Sequence, residues 1–143
     1  MLKTYPVTRS DVEWRALLTP EQFHMMREQG AERPGSSALA SEKRAGIFSC
    51  AGCNSPLFES QAKFESGTGW PSFREPIPNA VETRADDAYL GGYHTGYGTV
   101  RTEVSCAICG SHLGHLFSDG PPPSGFRYCT NGIGLTFAPA LAQ

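Results

Sequence analysis

Hydrophobic and polar positions follow two rhythms along the chain, and the change falls near residue 46. Before it, apolar residues are sparse. Val12, Trp14, Leu17 and Leu18 are scattered anchors in a polar stretch, which reads as an N-terminal arm over residues 1–18. Thr19-Pro20-Glu21-Gln22 is a helix start, with Thr19 as N-cap, proline in the first turn and Gln22 closing a capping box. Leu18 and Phe23 are placed for a hydrophobic staple, Phe23 and Met26 share a face, and Gly30 is the stop signal. The pattern predicts a short helix over residues 20–29 that covers one side of a sheet. Residues 31–45 read as a loop with room for one helical turn.

From Gly46 onward the pattern becomes short runs broken by turn residues. Strands are predicted at Ile47–Cys50, Ser55–Phe58, Val81–Arg84, Val100–Val104 and Gly134–Ala138. Ser66–Arg74 reads as a Gly/Pro loop carrying Trp70 and Phe73. Gly91–Gly98 reads as a hairpin end or surface loop, with Tyr93, His94 and Tyr97, and Asp119-Gly120-Pro121-Pro122-Pro123 as a rigid turn. The 143 residues carry 16 Gly and 11 Pro, which fits one β-rich, turn-rich domain spanning 1–143. A net charge of −2 supplies no basic field for a nucleic-acid backbone. No apolar run approaches the roughly 18–20 residues of a membrane span, and the N-terminal residues show no signal-peptide pattern. The expectation is a cytoplasmic, reducing environment and a monomer, without nucleic acid or membrane as partner.

In that setting five cysteines point to metal or catalysis rather than to a disulfide framework. Four form Cys50-x-x-Cys53 and Cys106-x-x-Cys109, the spacing of two zinc knuckles. Asn54 and Gly110 follow the second cysteine of each pair, and both types accept the left-handed backbone such turns use. Fifty-two residues separate the pairs, against about 15–20 in a short zinc ribbon. One structural Zn²⁺ held by four thiolates would therefore tie together two distant turns. A local site of Cys106, Cys109, His112 and His115, and a redox role for either pair, are competing readings.

Cys129 is the thiol left over. On a strand, Arg127, Cys129 and Asn131 share a face. A guanidinium beside the sulfur favours the thiolate, the nucleophilic form. A buried core thiol is the competing reading. His112 and His115 are candidate acids or bases. Asp119 either orients one of them or merely opens the Asp-Gly turn.

These residues carry a resemblance. Gly67–Phe73, Arg101–Val104, His112–Phe117 and Arg127–Asn131, together with both Cys pairs, resemble the B-type methionine sulfoxide reductases over roughly residues 10–139. The resemblance implies a mainly β fold: two small antiparallel sheets, a short N-terminal helical segment, and a structural zinc site of four cysteines at one edge. It implies reduction of the R epimer of methionine sulfoxide, in proteins and as the free amino acid, with Cys129 as nucleophile and a sulfenic acid intermediate. His115 matches the acid, and His112 helps to hold a water or polarise the oxygen. Arg127 and Asn131 support the thiolate, and Asp119 joins this catalytic set. Trp70 matches the aromatic wall against the substrate methyl, with Phe73 beside it. Many family members carry a resolving Cys where this chain has Thr68. Its absence implies regeneration by an external thiol such as thioredoxin. The readings outside the family are a zinc-knuckle binding module and a Cys129/His115 hydrolase. A reductase forms a Cys129 sulfenic acid on sulfoxide alone, a hydrolase forms an acyl adduct, and a binding module forms neither.

Overall fold

A computed structural model describes residues 5–85 and 102–140. Within them the N-terminal stretch is more than an arm. Ser10 and Glu13 form a capping box that starts helix α1, Asp11–Leu17. Thr19 and Gln22 do the same for helix α2, Pro20–Arg27. Each such cap stabilises its helix by about 1 kcal/mol. The helical period puts Trp14 and Leu18, four residues apart, on the buried face, whereas Val12 and Leu17 are 77% and 51% exposed and anchor nothing. Leu18 and Phe23 are both buried, as a staple requires. Helix α2 ends two residues before the predicted boundary. Gln29, not Gly30, takes the left-handed backbone, with φ 58°, and the Gly30 N–H bonds back to the His24 carbonyl at 3.0 Å.

Among the described residues nine strands make two antiparallel sheets. They are β1 Gly46–Cys50, β2 Pro56–Glu59, β3 Lys63–Phe64, β4 Ser72–Phe73, β5 Val81–Ala85, β6 Thr102–Cys106, β7 His112–Phe117, β8 Arg127–Thr130 and β9 Leu135–Pro139. The small sheet has the order β2-β1-β9 and the large one β3-β4-β8-β7-β6-β5. The predicted turn within residues 31–45 is a 3-10 turn at Ala38–Ser41. The Gly/Pro segment 66–74 is not loop throughout, because Ser72 and Phe73 pair with Cys129 and Tyr128. The 91–98 connection, with Tyr93, His94 and Tyr97, lies outside the described residues, as does Arg101.

Phe73 joins the two sheets. Its ring stacks on Phe58 at 4.2 Å and meets the edge of Phe48 at 5.0 Å, so one side chain of β4 packs on β1 and β2. Phe73 is fully buried. It is therefore core and not part of a substrate surface, which corrects the sequence expectation. Helix α2 packs on β7 and on the 3-10 turn at Gly132–Gly134. Gln22 ties the helix there by donating to the Ile133 carbonyl at 3.1 Å.

Candidate active site and metal centre

The four paired cysteines converge. Their sulfurs lie within 4.8 Å of one another, with Cys50–Cys109 at 3.7 Å and Cys53–Cys106 at 3.6 Å. Sulfurs bound at about 2.3 Å to one tetrahedral ion stand about 3.8 Å apart, so the donor set and its spacing fit zinc. Each knuckle closes as the sequence predicts. Asn54 and Gly110 have φ of 65° and 77°, and their N–H groups bond to the carbonyls of Cys50 and Cys106. Ser55 and Ser111 hydroxyls lie 3.1 Å from the Cys53 and Cys109 sulfurs. Hydrogen bonds from neighbouring thiols hold Cys53 at about 6 and Cys109 at about 2, while the same sharing pushes Cys50 and Cys106 up. Metal binding takes thiolates, so an ion entering this cluster would release the protons that Cys50 and Cys106 keep. His112 belongs elsewhere, which removes the local Cys/His site as a reading.

The helical N-terminus fastens this centre. Arg9 and Arg27 both lie over the Trp14 ring, at 4.9 and 4.4 Å from its centroid. Arg9 donates to the Gly52 carbonyl at 2.9 Å, and Arg27 to the Cys109 carbonyl and the Ser111 hydroxyl at 3.0 and 3.1 Å. One guanidinium therefore holds each knuckle, and both lie over the one indole.

Cys129 lies in the middle of the large sheet. Its cross-strand neighbours are Ser72 on β4 and His115 on β7, and Glu103 on β6 lies opposite His115. Directly opposite residues project from the same face, so Glu103, His115, Cys129 and Ser72 form one row over four strands. Close approach of β7 and β8 depends on Gly114. A Cβ there would stand 1.8 Å from the Cys129 carbonyl oxygen.

Two histidines three apart on a regular strand would face opposite ways. A register shift between Val104 and Ser105 pairs Val104 with Gly114 but Ser105 with His112, which leaves Leu113 as an extra residue. That bulge turns His112 onto the His115 side, where the rings meet edge to face at 5.3 Å. His112 Nδ1 donates to Glu103 Oε2 at 2.7 Å. Gln29 donates to the same oxygen at 3.0 Å and Arg84 to Oε1 at 2.9 Å. Burial alone would raise the Glu103 carboxyl, but the bonds from His112 and Arg84 outweigh it and hold the group at about 2.

Glu103 is thus the carboxylate that orients His112. In the sequence it stands within a motif, with no role of its own. Its only signal there is polarity inside an alternating strand, which matches any solvent-facing glutamate. Asp119, the expected candidate, takes the Arg127 guanidinium on both oxygens at 2.9 and 3.2 Å. Arg127 also lies over the Phe117 ring at 4.4 Å. Burial works against its charge, but Asp119 and then Cys129 keep it cationic. The Asn131 carboxamide serves the frame: it accepts from the Glu32 N–H and donates to the Leu113 carbonyl, both at 3.0 Å.

A cleft of about 160 Å³ opens over this row. Thr68, Trp70, His115, Phe117, Arg127 and Cys129 line it, with Asn131 at its base. Its size suits one small side chain. Trp70 Nε1 donates to the Glu32 carbonyl at 3.0 Å, which fixes the indole as a wall. Thr68 is held by Ser66 at 2.8 Å. The structure therefore gathers Cys129, His115, Arg127, Trp70, Asn131 and Thr68 at one cleft, attaches His112 through the bulge and Asp119 through Arg127, and withdraws Phe73 into the core.

The SelR domain matches residues 18–139. The chain is 48% identical over 134 residues to the peptide methionine sulfoxide reductase MsrB of Agrobacterium fabrum, covering 93% of each chain. It is 51% identical over 129 residues to the MsrB of Pseudomonas putida, covering 89% of this chain and 90% of that one. The MsrB of Methanosarcina barkeri is 48% identical over 132 residues, covering 92% and 87%. With a SelR domain over most of its length and near-half identity to these proteins, the chain belongs to the MsrB family of peptide methionine sulfoxide reductases.

Proposed function

We propose that this protein reduces the R epimer of methionine sulfoxide, in oxidised proteins and as the free amino acid, through a sulfenic acid on Cys129. The observation that carries the reading is the pairing of Cys129 with His115 across β7 and β8, beneath a cleft walled by Trp70. Arg127 stabilises the thiolate, and Asp119 steadies Arg127. The sulfoxide methyl rests on the Trp70 ring and the oxygen turns toward the histidines, which selects the epimer by shape. The Cys129 thiolate bonds to the sulfoxide sulfur while His115 protonates the oxygen. The oxygen then passes to the Cys129 sulfur, and methionine leaves with the electron pair of the broken bond. In sum, a thiol and a sulfoxide become a sulfenic acid and a thioether. His112, fixed by Glu103, holds a water or the oxygen in place.

The cleft carries Thr68 where a resolving thiol would stand, and the other four cysteines form the metal cluster. The sulfenic acid is therefore reduced from outside. One thiol of thioredoxin or a small dithiol condenses with it, releasing water and forming a mixed disulfide. The second thiol displaces Cys129 and leaves as the disulfide partner. Cys50, Cys53, Cys106 and Cys109 would hold a zinc ion, which would supply a structural cross-link between the two knuckles. The test is turnover of the separate R and S epimers of N-acetyl methionine sulfoxide with dithiothreitol, by wild type and Cys129→Ser. The expected result is turnover of R alone, lost in the variant. Turnover of S, or retention of activity by the variant, overturns the reading.

A further inference from the structure

Among the described residues, three that are not glycine take a left-handed backbone: Gln29, Asn54 and Asn79, with φ of 58°, 65° and 65°. Asparagine is an ordinary choice for that region, because its short polar side chain bonds locally, whereas a longer side chain there is strained. Gln29 is the exception. It follows Glu28, the C-cap of helix α2, at a position where glycine is common. Yet the glycine of this stretch stands one residue later, at Gly30. Backbone strain of this kind persists only where the surroundings hold it, and it gathers at functional sites.

The Gln29 side chain goes to the catalytic row. Although the residue is exposed, its Nε2 donates to Oε2 of the buried Glu103 at 3.0 Å. A carboxylate only accepts, so the amide nitrogen and not its oxygen must face it. Oε2 is also the oxygen that meets His112 Nδ1 at 2.7 Å. Arg84 takes Oε1, but its side chain is 67% exposed, so water screens its charge. Arg84 and His112 both belong to strands of the large sheet, whereas Gln29 reaches the carboxylate from the end of a helix. It adds a hydrogen bond without adding a charge, and so does not compete with a protonated His112 for the negative charge of Glu103.

We propose that Gln29 is a positioning residue for the reduction: from its left-handed backbone it delivers a neutral donor to Glu103 Oε2, holds that oxygen in place for His112, and so sets the ring that meets His115. The inference rests on the proposed reductase reading and extends its site from the sheet to the end of helix α2. The helix forgoes the relaxed backbone of a glycine at this position and gains a fixed donor. The other groups that face Glu103 are Arg84 on β5, His115 opposite it on β7 and, at longer range, Tyr5, which is itself bonded to Glu82.

The test compares Gln29→Ala, Gln29→Gly and Gln29→Glu with wild type in single turnovers of N-acetyl methionine-R-sulfoxide without reductant, read as methionine formed. Alanine and glycine both remove the carboxamide, but only glycine relieves the backbone, so Gln29→Gly melts above Gln29→Ala. If the carboxamide acts, the maximal rate falls about 3- to 10-fold in both, and the half-saturating concentration stays within about twofold. Gln29→Glu keeps the length, loses the donor and sets a second negative charge beside the histidine pair. It moves the alkaline limb of the pH–rate profile, where the acid loses its proton, to higher pH. Wild-type rates in Gln29→Ala and Gln29→Gly overturn the inference while the reductase reading stands. So does a loss in Gln29→Ala that Gln29→Gly restores, which would assign the effect to the backbone alone. An unmoved limb in Gln29→Glu also overturns it. No methionine from wild type overturns the reductase reading and this inference with it.

Discussion

Glu103 and His112 meet at 2.7 Å, and their side chains are only 2% and 4% exposed. A buried carboxylate on Nδ1 fixes the His112 ring and its tautomer, and the ring so held meets His115 edge to face. Glu103→Gln keeps the shape but loses the charge. The expected outcome is a fall in kcat/KM of about 10- to 100-fold, with a shifted pH–rate profile. Glu103→Asp shortens the arm and should recover the profile better than the rate. An unchanged profile in Glu103→Gln would show that Glu103 only packs.

The same carboxylate sets a pH dependence of stability. Its folded-state pKa is lowered from 4.5 to about 2. The unfolded chain therefore binds the extra proton first, and stability falls as pH falls. The contribution is complete above about pH 4.5 and disappears as pH drops through about 2, with a total on the order of 3 kcal/mol. Denaturant melts of wild type and Glu103→Gln between pH 6 and 3 should converge toward the acid end.

Removing the metal should unfold rather than merely slow the protein. We expect about one zinc per chain by elemental analysis. Cys106→Ser, or chelation, should lower Tm on the order of 10 °C or more, because a structural site contributes its binding energy to folding. Trp14→Ala, far from Cys129 in sequence, should reproduce part of this loss by freeing Arg9 and Arg27 from their common stack.

The two aromatics of the Trp70/Phe73 pair should separate cleanly. Phe73→Ala removes the ring that joins the sheets and should cost about 3–5 kcal/mol in denaturant melts. Trp70→Ala takes a wall from the cleft and should raise KM while leaving most of the stability.

Thr68 faces the cleft that holds Cys129. Thr68→Cys should convert the product of one turnover from a sulfenic acid to an internal disulfide. Dimedone, which traps sulfenic acids, should label wild type after sulfoxide treatment and fail to label the variant, where peptide mapping should find residues 68 and 129 linked.

Features written in adjacent residues are legible from the sequence alone. Both helix-capping signals are four-residue patterns, although the one at Ser10–Glu13 lies in a polar stretch that resembles an arm. The two knuckles, their left-handed closing residues, the solitary Cys129 and most strands follow from local spacing, because turn chemistry and side-chain alternation act within a few residues. The tertiary structure decided whatever depends on register between distant strands. It set His115 against Cys129, bulged Leu113 to bring His112 around, and chose Glu103 over Asp119 as that histidine's carboxylate. It also sent Phe73 inward while Trp70, three residues earlier, stayed at the cleft. Cross-strand register is a collective property of packing, since one residue of slip turns every side chain to the other face. No single segment of this chain encodes it.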